Sequence, residues 1–156
     1  MRRIFSIVAI CALPASAIAV GFAGTASAAQ KATPEVTCKK IAGNIGGTTG
    51  TVSKCSDKPN TGTKGTFPVA ALTSGSGTIT WNGTGTTKVT GVTGSPNGGT
   101  DCAAGSTEFA VTGKTGASTG AAKNSIKKKQ AINALVCVDG SGNFTMAPGS
   151  AFTIGT

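Results

Sequence analysis

Residues 131–146 read AINALVCVDGSGNFTM, and this stretch decides the fold class. The first half alternates, so one face of a strand would carry four apolar residues: Ile132, Ala134, Val136 and Val138. Leu135 and Cys137 are also apolar but fall on the other face, which favours a strand between two packed layers. Asp139 then begins a Gly-rich turn, and a second alternating run starts at Asn143. The stretch therefore predicts a strand, a tight turn and a second strand.

Similar short runs between turn residues continue along the whole chain. Strands are predicted at residues 35–39, 51–55, 66–73, 77–81, 86–92, 106–112, 131–139, 143–146 and 151–154. Gly-rich segments at 43–50, 94–99 and 113–120 are predicted to be connections, and 121–130 a loop, so no helix is expected. About eight short antiparallel strands with such turns indicate an all-β domain, either a sandwich or a small barrel.

The N-terminal segment predicts export. Arg2 and Arg3 precede an apolar run, and Ala26-Ser27-Ala28 has the small residues of a cleavage site. We therefore expect a signal peptide at residues 1–28 and a single secreted or envelope-associated β domain at 29–156. Cleavage one residue later, after Ala29, and an uncleaved membrane anchor are the alternatives. No transmembrane segment is expected after cleavage.

The expected mature chain is basic. Removing Arg2 and Arg3 from the 14 basic residues leaves 12 lysines against five acidic residues, a formal net charge of +7. Such a protein is attracted to anionic polymers or lipids of the cell envelope. Lysine lacks the planar fork that recognises phosphate or guanine bidentately, and few aromatic side chains are present to stack on bases. Nucleic acid is therefore not an expected partner.

A lysine-rich stretch is the candidate contact surface for such polymers. It contains Lys123, Lys127, Lys128 and Lys129. A charge run of this kind is most often a solvated loop whose charges repel one another. The functional alternative is an electrostatic patch that binds anionic envelope polymers.

Four cysteines remain in the mature chain, and an even number in an exported protein indicates disulfides. Three pairings are possible. The pairing Cys38–Cys55 with Cys102–Cys137 closes the shortest loops and is the one we expect. Each bridge would contribute about 3 kcal/mol by the loop-entropy estimate.

Catalytic and metal chemistry find little support in the sequence. Histidine is absent, so the usual general base near neutral pH is missing, and no C-x-x-C pair is present for zinc. The segment 139–143 spaces oxygen ligands as calcium loops do, but Phe144 occupies the required glycine position and Ser150 the required acidic one. A hairpin turn explains these residues. We therefore expect a non-catalytic protein without metal or cofactor.

Trp81 offers the alternative function. It is the single tryptophan, and it precedes the hairpin signal Asn82-Gly83. An exposed ring there, beside a groove between two sheets, would bind carbohydrate or another small ligand. The competing interpretation is core packing, because Trp81 falls on the same face as Ile79.

The layout as a whole resembles small exported, disulfide-bonded β proteins of actinobacteria. The stretch from Phe109-Ala110-Val111-Thr112-Gly113 to Val136-Cys137 is similar to the C-terminal part of mycobacterial surface lipoprotein antigens. The resemblance implies an exported β domain and no site residues. From the sequence we expect a domain that acts through surface interaction, with ligand binding at Trp81 as the alternative.

Overall fold

The structure is a computed structural model that describes residues 35–155. The predicted signal peptide lies outside these residues. Nine strands are present: β1 (Val36–Asn44), β2 (Thr49–Cys55), β3 (Lys64–Pro68), β4 (Ser76–Trp81), β5 (Gly85–Pro96), β6 (Thr107–Ser118), β7 (Ala131–Val138), β8 (Asn143–Met146) and β9 (Phe152–Ile154). Three short helices accompany them: α1 (Lys58–Thr61), α2 (Ala71–Ser74) and a 3-10 helix (Gly120–Asn124).

The strands form one closed antiparallel barrel. Each of β2 to β7 pairs with the next strand along the chain, and β1 closes the ring by pairing with both β8 and β2. The additional strand β9 shares the last position with β8. It pairs with residues 36–38 of β1, whereas β8 pairs with residues 42–44. The predicted all-β fold is confirmed, and of its two alternatives the small barrel is the one observed.

Aromatic side chains in the barrel lie over glycines of the neighbouring strand. Three directly opposed pairs show this arrangement: Gly43 with Phe144, Gly50 with Phe67, and Gly65 with Trp81. A Cβ atom at Gly43 would lie 2.3 Å from Phe144 Cζ, and one at Gly50 would lie 2.4 Å from Phe67 Cζ. The rings thus occupy the space that glycine leaves free, which fills the barrel with few large side chains.

This use of glycine explains where the predicted connections were wrong. Gly43 and Asn44 belong to β1, Gly94 belongs to β5, and residues 113–118 continue β6. Glycine normally interrupts a strand pattern. At Gly43 the ring of Phe144, and at Gly113 and Gly116 atoms of β5, supply the contact that a side chain would otherwise make, whereas Gly94 continues β5 through its pairing with Val111. The expectation of no helix was also wrong for the three short helices.

Both predicted disulfides are present. Cys38–Cys55 joins directly opposed residues of β1 and β2. Cys102–Cys137 fastens the loop 97–106 to β7. The enclosed segments of 17 and 35 residues correspond to about 3 and about 4 kcal/mol of stabilisation in the loop-entropy treatment. Bridges of this kind are typical of oxidising compartments, so the chain is an extracytoplasmic protein.

The second apolar face of β7 is not covered by another sheet, in contrast to the predicted two-layer arrangement. Its inner face points into the barrel, with Ile132, Ala134 and Val136 buried. On the outer face, Cys137 is covered through its bridge to Cys102. A loop and a disulfide thus replace the expected second layer.

The two ends of the barrel differ, and we name them the closed end and the open end. Residues 119–130 cross the closed end: Ala121 donates to Thr84 O (2.7 Å), and Lys129 donates to Thr115 O on β6 (2.7 Å). On the far side, Ser125 Oγ donates to Asp57 Oδ2, just after β2. Because β2 and β6 lie opposite each other in the ring, the segment spans it. The open end carries the β1–β2 turn, the β7–β8 turn and α2.

Candidate functional site

Exposed lysines gather at one end of the molecule. They are Lys39, Lys40, Lys54, Lys64, Lys88, Lys114, Lys123, Lys127, Lys128 and Lys129. All ten lie on the closed end or on the adjoining parts of the strands. The open end instead carries Asp139 in its β7–β8 turn and Asp101 in the loop beside β7. Among the described residues the closed end also carries one exposed acid, Glu35, against these ten lysines, so the charge is asymmetric along the barrel.

Six of these lysines lie on β5, on β6 and on the segment that crosses the closed end, and we call them the lysine face: Lys88, Lys114, Lys123, Lys127, Lys128 and Lys129. Thr87 and Thr115 are buried, so Lys88 and Lys114 point outward from β5 and β6. A Cβ on Gly116 would lie 3.0 Å from Lys88 Cβ, which places Lys88 against the strand that carries Lys114. The backbone hydrogen bond from Lys129 to Thr115 O places the predicted lysine cluster beside β6.

Lys127 differs from its neighbours because its ammonium group is already engaged. Lys127 Nζ donates to the carbonyl oxygens of Lys123 (2.9 Å) and Asn124 (2.7 Å), at the C-terminal end of the 3-10 helix. A cation suits that position because the last carbonyls of a helix lack partners within the helix. Lys127 therefore stabilises the loop, while Lys123, Lys128 and Lys129 present their charges to solvent.

The loop itself is firmly held. Thr115 Oγ1 accepts a hydrogen bond from the Gln130 amide (2.9 Å) and donates one to Lys127 O (2.5 Å). Gln130 Oε1 accepts from the Lys127 amide (2.8 Å). Lys129 adopts a left-handed conformation with φ 67°. These contacts fix the backbone of residues 127–130, so the lysines sit on a defined surface rather than on a loose loop.

Trp81 is not a ligand platform. Only 1% of it is exposed, and its indole Nε1 donates to Thr87 Oγ1 (2.9 Å) inside the barrel. A shallow depression outside β3 and β4 reaches this residue, but the buried ring offers no face to a sugar. The predicted groove between two sheets is also wrong, because the strands form a single closed barrel. Core packing, the competing interpretation of Trp81, is what the structure shows.

A different concave feature is present at the open end. It is a cavity of about 420 Å³, within the size range of small-molecule sites. Its lining is Ile45, Gly47, Val69, Ala70, Leu72, Thr73, Gly94, Phe109, Val111, Val136, Val138 and Phe144. No charged side chain contributes, and Thr73 supplies the one hydroxyl. Sequence reasoning missed this site because its lining comes from separate turns and strand ends that only barrel closure brings together.

The predicted turn at residues 139–143 is confirmed as a hairpin turn at the rim of this cavity. Asp139 Oδ1 accepts from the amides of Ser141 and Asn143 (both 2.9 Å), and Oδ2 accepts from Asn143 Nδ2 (3.0 Å). Hydrogen bonds from the Asn143 side chain and amide hold the pKa of Asp139 below its usual value. The ionised carboxylate of Asp139 thus stabilises the turn.

Glu108 is an unexpected buried acid. It is 3% exposed, lies on the outer wall of β6 and is covered by the loop 97–106. Its Oε1 accepts from Asn97 Nδ2 (2.6 Å), while Oε2 has no protein partner. Among the described residues no group of three His, Cys, Asp or Glu side chains is arranged to hold a metal ion.

Together these features define a class: a small disulfide-bonded barrel with a basic closed end and an apolar cavity at its open end. In comparisons with known proteins, no family model, no curated protein and no solved structure matches this chain. The resemblance to actinobacterial exported proteins stays a prediction. Between residues 35 and 155, none of the helices is long and apolar enough to cross a membrane.

Proposed function

We propose that this protein is a non-catalytic, extracytoplasmic barrel that attaches to an anionic polymer of the cell envelope through its lysine face. The observation that carries the proposal is the placement of ten exposed lysines of the described residues toward the closed end. A one-sided charge distribution produces a directed electrostatic field, which attracts an anionic partner to that end and orients the barrel on it.

The rigidity of the lysine face supports this role. The backbone of residues 127–130 is held by hydrogen bonds to Thr115 and Gln130. Charges on an ordered surface lose less conformational entropy on binding than charges on a flexible loop. Asp57 lies near this segment, but its carboxylate accepts hydrogen bonds from Ser125 and Asn60. The acid is thus engaged within the fold.

A polymer is favoured over a lipid surface by the distribution of apolar side chains. Proteins that lie on membranes insert apolar residues between the headgroups beside their basic residues. Ile45 is the exposed large hydrophobic residue of the described chain, and it lies at the open end, away from the lysines. The lysine face therefore offers charge without an apolar anchor, which suits a hydrated anionic polymer.

The test is retention of the mature protein on purified anionic cell-wall polymer and on anionic vesicles, at low and at physiological salt. The charge variant carries Lys123→Gln, Lys128→Gln and Lys129→Asn. Asparagine is chosen at position 129 because it tolerates a left-handed backbone, and Lys127 is kept because it caps the 3-10 helix. At about 1 kcal/mol per lysine near an anionic surface, the variant should bind roughly 100-fold more weakly at low salt.

A matched control removes the same charge elsewhere. Lys39→Gln and Lys40→Gln change exposed residues on β1, which lies across the barrel from β5, and Lys64→Gln changes one on β3, which lies across from β7. We expect this control to retain most of the binding, and all binding to weaken as salt increases. Equal losses of binding in both triple variants would show that only the net charge matters, and would contradict binding through the lysine face. Tighter binding to vesicles than to polymer would contradict the choice of partner.

A further inference from the structure

The cavity at the open end has the properties of a binding site for a small apolar molecule. Its walls are aliphatic or aromatic, with Val111, Val136 and Val138 on one side and Leu72 of α2 on the other. Phe144, which is almost fully buried, contributes to the same cavity from β8. Most of the energy of binding apolar ligands comes from removing such surfaces from water.

A second, smaller cavity lies further inside the barrel. Its volume is about 50 Å³, and its lining contains only apolar side chains, among them Ile41, Phe67 and Ile132. Leu72 and Val111 line both cavities and so stand between them. Leu72 belongs to the one-turn helix α2. Its backbone amide donates a hydrogen bond to Val69 O (2.9 Å), which fixes the position of Leu72. A ligand that enters the open end would therefore meet Leu72 before it reaches the interior.

The occupant is better explained as a small molecule than as protein. Ile45 is 50% exposed and is the large hydrophobic residue displayed by the described surface, so a broad apolar face for a second copy is lacking. Both ends of the described chain lie at the closed end, where a Cβ on Gly155 would lie 2.9 Å from Glu35 Cγ. The length of β1, about 3.3 Å per residue, separates them from the cavity.

Charge restricts the ligand further. No lysine lies among the cavity-lining residues, and the exposed lysines lie toward the other end. At the rim, the amide of Ile45 donates to Gly142 O (2.8 Å), so the turn that contains Asp139 adjoins the entrance. Asp139 is exposed there, and Asp101 is exposed on the loop that the Cys102–Cys137 bridge joins to β7. An anionic headgroup would be repelled by these carboxylates, whereas a neutral or cationic one would not.

We propose that the open end of the barrel binds a small apolar molecule with a neutral or cationic polar group, which inserts its hydrocarbon part toward Leu72. This site is independent of the lysine face, so either proposal can fail without the other.

The experiment measures binding of a neutral apolar fluorophore, N-phenyl-1-naphthylamine, to the mature protein. Displacement is then compared for dodecanol, dodecylamine and dodecanoate, which share a chain length and differ in charge, each below its aggregation concentration. We expect one saturable site, displaced by the alcohol and the amine at concentrations at least about tenfold lower than by the carboxylate. Equal displacement by all three would overturn the charge selectivity.

A blocking variant tests the location. Gly94 lies directly opposite Val111 and lines the cavity, so its side-chain position faces inward, and a Cβ there would meet no atom within 4 Å. Gly94→Phe should fill the entrance and lower affinity at least about tenfold. Ser95→Phe adds the same ring at the next position of β5, which is exposed and pairs with Ala110 on the outer face of the barrel, and it should bind as the wild type does.

Thermal unfolding of both variants shows whether they fold. Absence of saturable binding in the wild type would overturn the proposal, as would undiminished binding in folded Gly94→Phe. Leu72→Ala provides a second measurement, because it would join the two cavities. The Leu72→Ala variant should lower the dodecanol concentration needed for displacement relative to the hexanol concentration. An unchanged ratio of these two concentrations would contradict insertion toward Leu72.

Discussion

At the closed end, a buried tryptophan and a crossing segment fill the barrel, whereas at the open end the same strands surround a cavity of about 420 Å³. Trp81 donates to Thr87, and Thr87 Oγ1 is hydrogen-bonded to Ser118 Oγ (3.1 Å). Ile126, from the crossing segment, is 1% exposed. Large side chains are present at both ends, but at the closed end they fill the interior, whereas at the open end Phe109 and Phe144 border free space. The residues that contribute most to stability thus lie at the closed end, and the cavity that can accept a ligand lies at the open end.

The largest expected effect comes from emptying the closed end. Trp81→Ala would remove a buried indole and leave Thr87 without its donor, which should cost about 3–5 kcal/mol. Val138→Ala, at the open end, removes about two methylene equivalents from a half-buried side chain and should cost at most about 1.5 kcal/mol. Urea unfolding of both variants measures the difference. Similar losses would show that the two ends contribute equally.

A smaller difference in stability is expected when a methyl group is added at each end, because the side chains at the two ends differ in how freely they can shift. Gly65→Ala places a Cβ 2.8 Å from Trp81 Cε3 and 2.9 Å from Ile79 Cγ2, in a packed region. We expect a loss of about 1–3 kcal/mol. Gly43→Ala places its Cβ closer to a ring, 2.3 Å from Phe144 Cζ, but that ring borders the cavity.

Phe144 can therefore shift into free space, so Gly43→Ala should cost less than Gly65→Ala despite the closer approach. It should also weaken binding of the fluorophore, because the ring would occupy part of the cavity. Thermal unfolding and the fluorophore titration check the two expectations. A larger loss for Gly43→Ala would indicate that the open end is packed as tightly as the closed end.

The smallest expected effect on stability comes from Asp139, in the turn at the rim of the cavity. The pKa of Asp139 is lower in the folded protein than in the unfolded chain, mainly because Asn143 donates to it. Its ionised form therefore stabilises the fold above the unfolded value of about 3.9, and that contribution is lost as the pH falls through the folded value. The Tm difference between the wild type and Asp139→Asn should be constant from about pH 7 to 5 and shrink below about pH 4.

Asp101→Asn is the control for this measurement, since it removes the same formal charge from an exposed loop position. A difference for Asp139→Asn that does not change between pH 7 and 3 would contradict a role of the ionised carboxylate in the turn.

Local patterns were enough to predict much of the fold. The strand that became β7, the turn at Asp139 and both cysteine pairs follow from alternation, turn chemistry and loop length. Glycines within strands were misinterpreted because their role depends on a ring from the neighbouring strand, as with Gly43 and Phe144. Local sequence does not record that partner.

The candidate sites divide in the same way. Lys123, Lys128 and Lys129 lie within seven residues of sequence, so their exposed cluster was predictable, whereas the addition of Lys88 and Lys114 required the β5–β6 pairing. Trp81 had two interpretations that only burial could separate. The open-end cavity had no sequence signal, because ordinary apolar strand residues form its walls and only their common position at one end creates a site.

The pairing of β9 with β1 has a consequence for how the chain reaches its folded state. Val36 pairs with Ile154, so the first described strand finds one of its partners almost at the C-terminus. Contacts between such distant parts of a chain are slow to form, so residues 36–38 of β1 lack their β9 partner until residues 152–154 are available. The start of β1 is thus secured late, by a strand that follows all the others. Once this pairing is made, Cys38 lies between Cys55 on one side and Phe152 on the other.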